Sequence, residues 1–473
     1  MREYPIYLAG RFTATAQKTA VTGPFSGETA GEVFLAGAGE VEAATAAAHA
    51  SFKETKKLAP LDRAAILMKI HDGIAARAEE LARSIALEAG KPIVNARQEV
   101  QRSVFTFLTA AEEAKRISGD VLPLDIHPLA KGRQCFVKRF PIGPILGITP
   151  FNFPLNLVAH KVAPAMASGN SIVIKPAPQT PLTALLLAEI VDASGWPKGA
   201  FSVLPTTNEL AETMARDGRF KMLSFTGSPG VGWMLKNIAG KKKVALELGG
   251  NAGVIVHGDA DLGYAAGRIV TGGFSYAGQT CISVQRVFVQ QAVYEKFKAL
   301  FIPLVTALKT GDPLDEATSV GPLISPREVQ RILGWIDEAV KGGANILCGG
   351  KGEGSILLPA VLEHTTPQMK VNCMEVFGPV VTLIPYATMD EALALLNDGE
   401  FGLQAGIFTN NLRAAFAAWE TLDVGGVIIG DVPTFRIDHM PYGGVKNSGI
   451  GREGLRDAIE AMTEPKSLVI NLP

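Results

Sequence analysis

Four cysteines are spread along the 473-residue chain, and any of them could be a nucleophile by type alone. Cys281 lies in SYAGQTCIS, among small and polar residues, whereas Cys348 follows the apolar run ANIL and Cys135 stands inside the strand-like QCFVKRF. A cysteine attacks as its thiolate, so context favours Cys281 as a nucleophile; the alternative is a small buried hydrophobe, the commoner fate of a lone cysteine. Glu247, in LELGG, sits where an apolar strand leaves the core, a costly place for a carboxylate unless it is solvated, functional or capping a helix. Asn152, in ITPFNFPLN, offers an amide that can donate to an oxyanion or brace a proline-bracketed turn. FTGSPGVG, residues 225–232, carries Gly227, Gly230 and Gly232 between a strand and a helix. Such a turn lets phosphate oxygens reach backbone N–H groups at a helix N-terminus, and it also serves as a plain glycine turn.

These residues need a scaffold, and the pattern around them predicts one. Apolar strands GPILGIT (143–149), SIVIK (171–175), FSVL (201–204), MLSFT (222–226) and KVALEL (243–248) alternate with helix-length segments. That alternation predicts a parallel sheet with helices on both faces and ligands at the carboxyl ends of its strands. Thr180 before Pro181 reads as a helix N-cap with proline at the first position. Residues 39–118 read as a helical layer with segments 39–56, 61–89 and 106–116, the middle one stopped by Gly90 and Pro92. From about 250 to 440 a second α/β domain is expected, with helices near 262–276, 293–308, 326–341 and 389–397, the last behind a Thr388/Glu391 capping box. Strands VQRVFV, VVTLIPY, AGIFT and GGVIIG lie among them. Residues 119–140 read as a β-arm, and the tail from Pro465 is expected to pair with it or with another subunit.

Composition narrows the function classes. Lys and Arg number 45 against 46 Asp and Glu, with no long basic run, so neither nucleic acid nor an anionic membrane surface is an expected partner. The apolar stretch 142–173 is broken by prolines, asparagines, His160 and Lys161, unlike a membrane helix, and the opening MREYPIYLAGRF lacks the apolar core of a secretory signal. Scattered cysteines form neither a disulfide framework nor a zinc knuckle, which fits a cytoplasmic protein, and no ligand cluster suggests a metal.

TPFNFP, SIVIKPAPQTP, SFTGSPGVG, ALELGGN, YAGQTCIS, EVFGPVV and PYGGVKNSGIGREG occur in the order found in the aldehyde dehydrogenase superfamily, and Glu247 and Cys281 stand 34 residues apart, as that family's base and nucleophile do. The chain resembles this family over nearly its whole length. The resemblance implies a Rossmann-like cofactor domain (1–118 and 141–246), a catalytic domain (247–440), and an oligomerisation arm with a C-terminal segment (119–140 and 441–473) of a homodimer or homotetramer. It implies that Cys281 attacks the aldehyde, that Asn152 and the Cys281 N–H hold the oxyanion, and that Glu247 activates the water that hydrolyses the thioester. It implies NAD or NADP, with Lys175 at the adenosine ribose, Gly227, Ser228 and Gly232 along the pyrophosphate, and Glu375 with Phe377 at the nicotinamide ribose. Relatives that pass the thioester to coenzyme A generally lack the glutamate, so Glu247 argues for hydrolysis over acyl transfer. The intact trio of Cys281, Glu247 and Asn152 argues against a catalytically idle relative.

In many NAD-preferring relatives a glutamate follows the lysine by three residues; here that position is Pro178, which can neither bind the ribose hydroxyls nor repel a 2′-phosphate. Either cofactor is expected, with a slight lean to NADP; the alternative is that Pro178 only stiffens a turn. NFPLNLVAHKVAP and FRIDHMPYGGVKNSG resemble the lactaldehyde branch and, more distantly, the non-phosphorylating glyceraldehyde-3-phosphate and succinic semialdehyde branches. A small hydroxy- or acid-bearing aldehyde is therefore expected. Arg436 and His439 fall on a loop that lines the family's substrate entrance and Arg102 on a helix of the opposite wall, where an arginine can clamp an anion or be only a surface charge.

Overall fold

Short runs dense in Ile, Val and Leu become the centre of a sheet because only a strand buried on both faces tolerates continuous apolar sequence. In the computed structural model, which describes residues 2–471, the strands Ile145–Ile148, Ile172–Lys175, Phe201–Val203, Met222–Thr226 and Lys243–Glu247 pair in parallel. Their spatial order is Lys243–Glu247, Met222–Thr226, Ile145–Ile148, Ile172–Lys175, Phe201–Val203. The chain thus builds outward from Ile145–Ile148 in one direction, then returns to build on its other side. The crevice that opens at such a reversal, at the carboxyl ends of Ile145–Ile148 and Met222–Thr226, is where open α/β sheets take ligands.

A second sheet runs Asn345–Cys348, Ala360–Glu363, Val380–Tyr386, Val284–Gln290, Ala252–Val256, Gln404–Phe408, Gly426–Ile429, parallel apart from the first pair. The third sheet is the arm. Arg133–Pro141 lies between Asp120–Pro123 and Thr463–Asn471, the latter in antiparallel register from Thr463 opposite Pro141 to Asn471 opposite Arg133. The predicted pairing of the tail with the arm is therefore made within one chain.

Helices pack the first sheet through residues such as Leu67, Ile70, Phe107, Met166 and Leu185, all in one buried cluster. Burying each such side chain favours folding by about 1.5–3 kcal/mol. Three details differ from the sequence expectation. The 61–89 segment is two helices, Pro60–Ala76 and Ala78–Ala89, broken at Arg77, and residues 106–116 are mostly the second half of one helix, Ile93–Ala114. Thr180 does not cap the following helix, Leu182–Ser194. Instead the Glu88 carboxylate accepts the Leu182 and Thr183 N–H groups at 2.8 and 3.0 Å, and the Thr180 hydroxyl donates to the Phe151 carbonyl. A carboxyl offers an oxygen to each N–H where a hydroxyl offers one oxygen in all, although burial raises Glu88 to about 7, and it reaches the site from 94 residues upstream. The N-terminal region contributes an unpredicted small sheet of Glu3–Tyr4, Thr29–Leu35 and Gln17–Thr22. Within the C-terminal segment, Gly449–Ile450 pairs with Lys243–Glu247 on the first sheet, and Leu455–Ala461 packs on Asn156–Ser168.

Candidate active site

A cavity of about 360 Å³ occupies the crevice at the strand reversal. Cys281, Glu247 and Asn152, called from separate motifs, all line it. Each reaches it by a different local device.

Cys281 follows a tight turn in which Tyr276 and Ala277 take left-handed backbone angles, φ 51° and 52°, a conformation that costs non-glycine residues of order 1–3 kcal/mol and persists only when clamped. The clamps are visible. The Tyr276 hydroxyl donates to the Ala89 carbonyl at 3.0 Å, and the Gln279 side chain donates to the Pro322 carbonyl at 3.1 Å and accepts the Ile324 N–H at 2.9 Å. Gly250 crosses the Cys281 carbonyl too closely for any side chain, which is what the second glycine of LELGG provides. The Cys281 sulphur lies 3.0 Å from the Tyr442 hydroxyl. Burial pushes the Cys281 thiol up to about 12, the Tyr442 bond opposing it.

Asn152 is tied to the same turn, its amide donating to the Gln279 carbonyl at 2.9 Å. One amide N–H remains, and among the described residues the backbone N–H of Cys281 has no acceptor either. Two donors are thus left uncommitted beside Cys281.

Glu247 ends its strand opposite Thr226 with both carboxylate oxygens buried and unpartnered. Burial, then the nearby Glu453 carboxylate, raises Glu247 well above the ordinary carboxylate range, against the pull of Arg436 and Lys161. A carboxylate of raised basicity is suited to take a proton from water.

The sequence reading missed most of what surrounds these three. Lys161, wholly buried, donates to Thr226 at 2.7 Å and Ser224 at 3.2 Å and lies 3.6 Å from Glu453. Glu453 pairs with Arg436 at 3.0 Å, and the Arg436 guanidinium stacks 3.7 Å over the Tyr442 ring. Asp438 accepts from Arg102 at 2.7 Å and Asn156 at 3.1 Å and bonds His160 at 2.8 Å. Arg102, His160 and their neighbours hold the Asp438 carboxyl well below its usual range although burial opposes this. The signal for part of this network was in view: His160 and Lys161 lie in an otherwise apolar, buried helix, where charges persist only with partners.

Of the sequence-predicted substrate residues, Arg102 and Arg436 line the cavity. His439 does not. It packs edge-on against Phe105 and borders a separate hollow with Thr109 and Leu455, beyond a turn in which the Met440 N–H donates to the Ile437 carbonyl.

On the cofactor side, Gly227, Ser228, Glu375 and Phe377 line the cavity, while Gly232, Lys175 and Pro178 lie outside its wall. The helix Pro229–Ile238 starts at Ser228 with no side chain capping its first N–H groups. A side chain at Gly232 would collide with Leu248, and one at Gly249 with the Glu375 carboxylate. Glu375 accepts the Gly250 N–H at 2.9 Å and burial raises its carboxyl to about 7. Lys175 is buried at its strand end, its ammonium bonded to Asn208 at 3.1 Å, and burial lowers it to about 8. An uncapped helix start, glycines packed against the Leu248 and Glu375 side chains, and a buried cation along one sheet edge fit a dinucleotide with its pyrophosphate at the helix. Among the described residues no His, Cys, Asp and Glu cluster is arranged to hold a metal ion, and no helix is long and apolar enough to cross a membrane.

Known proteins share this architecture. The aldehyde dehydrogenase family matches residues 12–468. The 3-sulfolactaldehyde dehydrogenase of Priestia aryabhattai is 43% identical over 473 residues, covering 100% of this chain and 99% of its own. The structure of aldehyde dehydrogenase 21 from Physcomitrella patens with its reaction product succinate superposes with a TM-score of 0.98 at 44% identity, covering 99% and 98% of the two chains. That of glyceraldehyde-3-phosphate dehydrogenase from Methanocaldococcus jannaschii, complexed with NADP, gives 0.93 at 38% identity, covering 97% and 100%. The chain belongs to the aldehyde dehydrogenase family and is an NAD(P)-dependent enzyme that oxidises small aldehydes by way of a catalytic cysteine.

Proposed function

We propose that Cys281 is the nucleophile, Glu247 the hydrolytic base and Asn152 the oxyanion donor for oxidation of a small anionic aldehyde to its acid. The observation that carries this reading is the meeting of all three in one cavity at the strand reversal, beside an uncapped helix start. Cys281 gives up its proton to water and attacks as the thiolate: the sulphur bonds to the aldehyde carbon and the carbonyl π pair moves to oxygen, where the free Asn152 N–H and the Cys281 backbone N–H receive it. Gly227, Ser228, Glu375 and Phe377 would hold a nicotinamide dinucleotide, which would supply the hydride acceptor needed for oxidation to the thioester. Glu247 then takes a proton from the water that attacks the thioester; the C–S bond breaks and the acid leaves.

Residues 1–118 with 141–246 bind the cofactor in this reading, 247–440 carry the nucleophile, and the arm joins a homodimer or homotetramer in the cytoplasm. Exposed apolar residues on the arm, among them Val121, Leu122, Leu468 and Val469, support that use. Lys175 holds the adenosine ribose, Gly227, Ser228 and Gly232 the pyrophosphate, and Glu375 with Phe377 the nicotinamide ribose. Pro178 is exposed and admits a 2′-phosphate, which favours NADP slightly; the Glu209 carboxylate near Lys175 acts the other way and keeps NAD in use. Pro178→Glu is expected to shift the NADP-to-NAD ratio of kcat/KM toward NAD by about tenfold; an unchanged ratio rejects this account of the position.

Arg102 is the anion-binding residue. Asp438 engages its Nε and Nη2, leaving Nη1 with no protein acceptor among the described residues, whereas Arg436 is held by Glu453 and Tyr442 and serves to position them. The sulfolactaldehyde, glyceraldehyde-3-phosphate and succinate chemistry of the relatives supports an anionic substrate. The test is kcat/KM for lactaldehyde, glyceraldehyde 3-phosphate, succinic semialdehyde and an uncharged aliphatic aldehyde, each with NAD and NADP. In Arg102→Gln, KM for the anionic aldehydes should rise about 10- to 100-fold and that for the aliphatic aldehyde stay constant. Equal effects on both classes would return Arg102 to a purely structural role.

A further inference from the structure

We propose that Tyr442 is a further catalytic residue: its hydroxyl donates to the Cys281 sulphur, fixes that sulphur at the cavity wall and favours its thiolate form. The inference rests on Cys281 being the nucleophile.

The geometry has three parts. First, the Tyr442 oxygen lies 3.0 Å from the Cys281 sulphur, and among the described residues the buried Tyr442 hydroxyl has no other hydrogen-bond partner. Buried tyrosine hydroxyls seek a partner, and a thiolate can only accept, so in the reactive state the donor is the tyrosine. Second, Tyr442 cannot easily move away. Its backbone N–H donates to the Glu453 carbonyl at 2.9 Å and its carbonyl accepts the Glu453 N–H, while the ring packs with Ile282 and Leu403 beside the cysteine. Third, the Arg436 guanidinium lies 3.7 Å above the ring. A cation on the face of a phenol withdraws electron density from it and makes the O–H a stronger donor.

The need for such a donor follows from the rest of the wall. Burial disfavours the Cys281 thiolate, and the Glu375 and Glu247 carboxylates add to that penalty; Glu453 lines the same cavity. On the other side stand the Arg436 charge, the Tyr442 hydrogen bond and, farther along the wall, Arg102 and Arg331. Arg436 is already committed to Glu453, so the hydroxyl is the one group in direct contact that favours the charged sulphur. A phenylalanine would fill the same space and keep the cation on its ring, yet could donate nothing.

Tyr442→Phe isolates the hydroxyl. The readout is the pH dependence of Cys281 alkylation by iodoacetamide in the folded full-length protein, followed on the Cys281 peptide by mass spectrometry so that Cys135, Cys348 and Cys373 do not interfere. The expected result is alkylation about tenfold slower near neutral pH, with the midpoint raised by about one unit. Incorporation of 3-fluorotyrosine, a more acidic phenol of nearly the same size, should lower the midpoint and covers the case in which the phenylalanine variant folds poorly. A midpoint unmoved in both proteins overturns the role of Tyr442. That failure is distinct from failure of the nucleophile reading, which would show as turnover surviving in Cys281→Ala.

Discussion

Replacing Cys281 by alanine is expected to lower turnover by roughly 10⁴-fold or more, with cofactor binding and thermal unfolding little changed. The size of the effect follows from the chemistry: Cys281 is the one thiol that lines the cavity among the described residues, and Cys135, Cys348 and Cys373 all lie away from it. Alanine also leaves the turn intact, since the clamps on Tyr276 and Gln279 use none of the cysteine's atoms. Turnover with any aldehyde that survives this substitution near its original rate would rule out the covalent route. Titration with the reduced and oxidised cofactors, read by fluorescence, separates loss of chemistry from loss of the cofactor.

The second large effect is expected at Glu247, and it differs in kind. Glu247→Gln should leave the first equivalent of reduced cofactor forming quickly and slow the steady state by about 10²- to 10⁴-fold, because only hydrolysis of the thioester uses the base. Burial and the Glu453 charge raise Glu247 well above the ordinary carboxylate range. The active form is the carboxylate, so the wild-type steady-state rate should fall as pH drops through that raised value, and this acid limb should vanish in Glu247→Gln. Loss of the burst as well would mean that Glu247 also deprotonates Cys281 or orders the site.

What could be read before the structure divides by the range of the physics involved. The five parallel strands were legible because each is a local run of apolar residues, and the Thr388 N-cap is local too, the Glu391 N–H reaching the Thr388 hydroxyl at 3.3 Å; the expected box does not close on Thr388, because the Glu391 carboxylate accepts the Ala387 N–H instead at 2.7 Å. Cys281, Glu247 and Asn152 stood out because each is a reactive or polar type in a context that demands a reason. The helix break at Arg77 was hidden, since neither glycine nor proline marks it. The cap at Leu182–Ser194 was misassigned because its acceptor, Glu88, is remote in sequence and a nearer threonine fitted the local rule. Tyr442 and Glu453 went unremarked for the same reason: a tyrosine in PYGG acquires its meaning only when folding brings it to a sulphur 161 residues earlier. His439 erred in the opposite sense, since nearness to Arg436 in the chain does not put two side chains on one wall.

The central claim is that an acyl group becomes bonded to Cys281 and that Glu247 removes it as the acid. Peptide mass spectrometry of Glu247→Gln, quenched in acid after mixing with succinic semialdehyde and oxidised cofactor, tests it most directly. The account predicts the Cys281 peptide carrying the mass of one acyl group, discharged on standing to the carboxylic acid and absent in Cys281→Ala. An unmodified Cys281 peptide alongside reduced cofactor, or an acyl group on another residue, would contradict it.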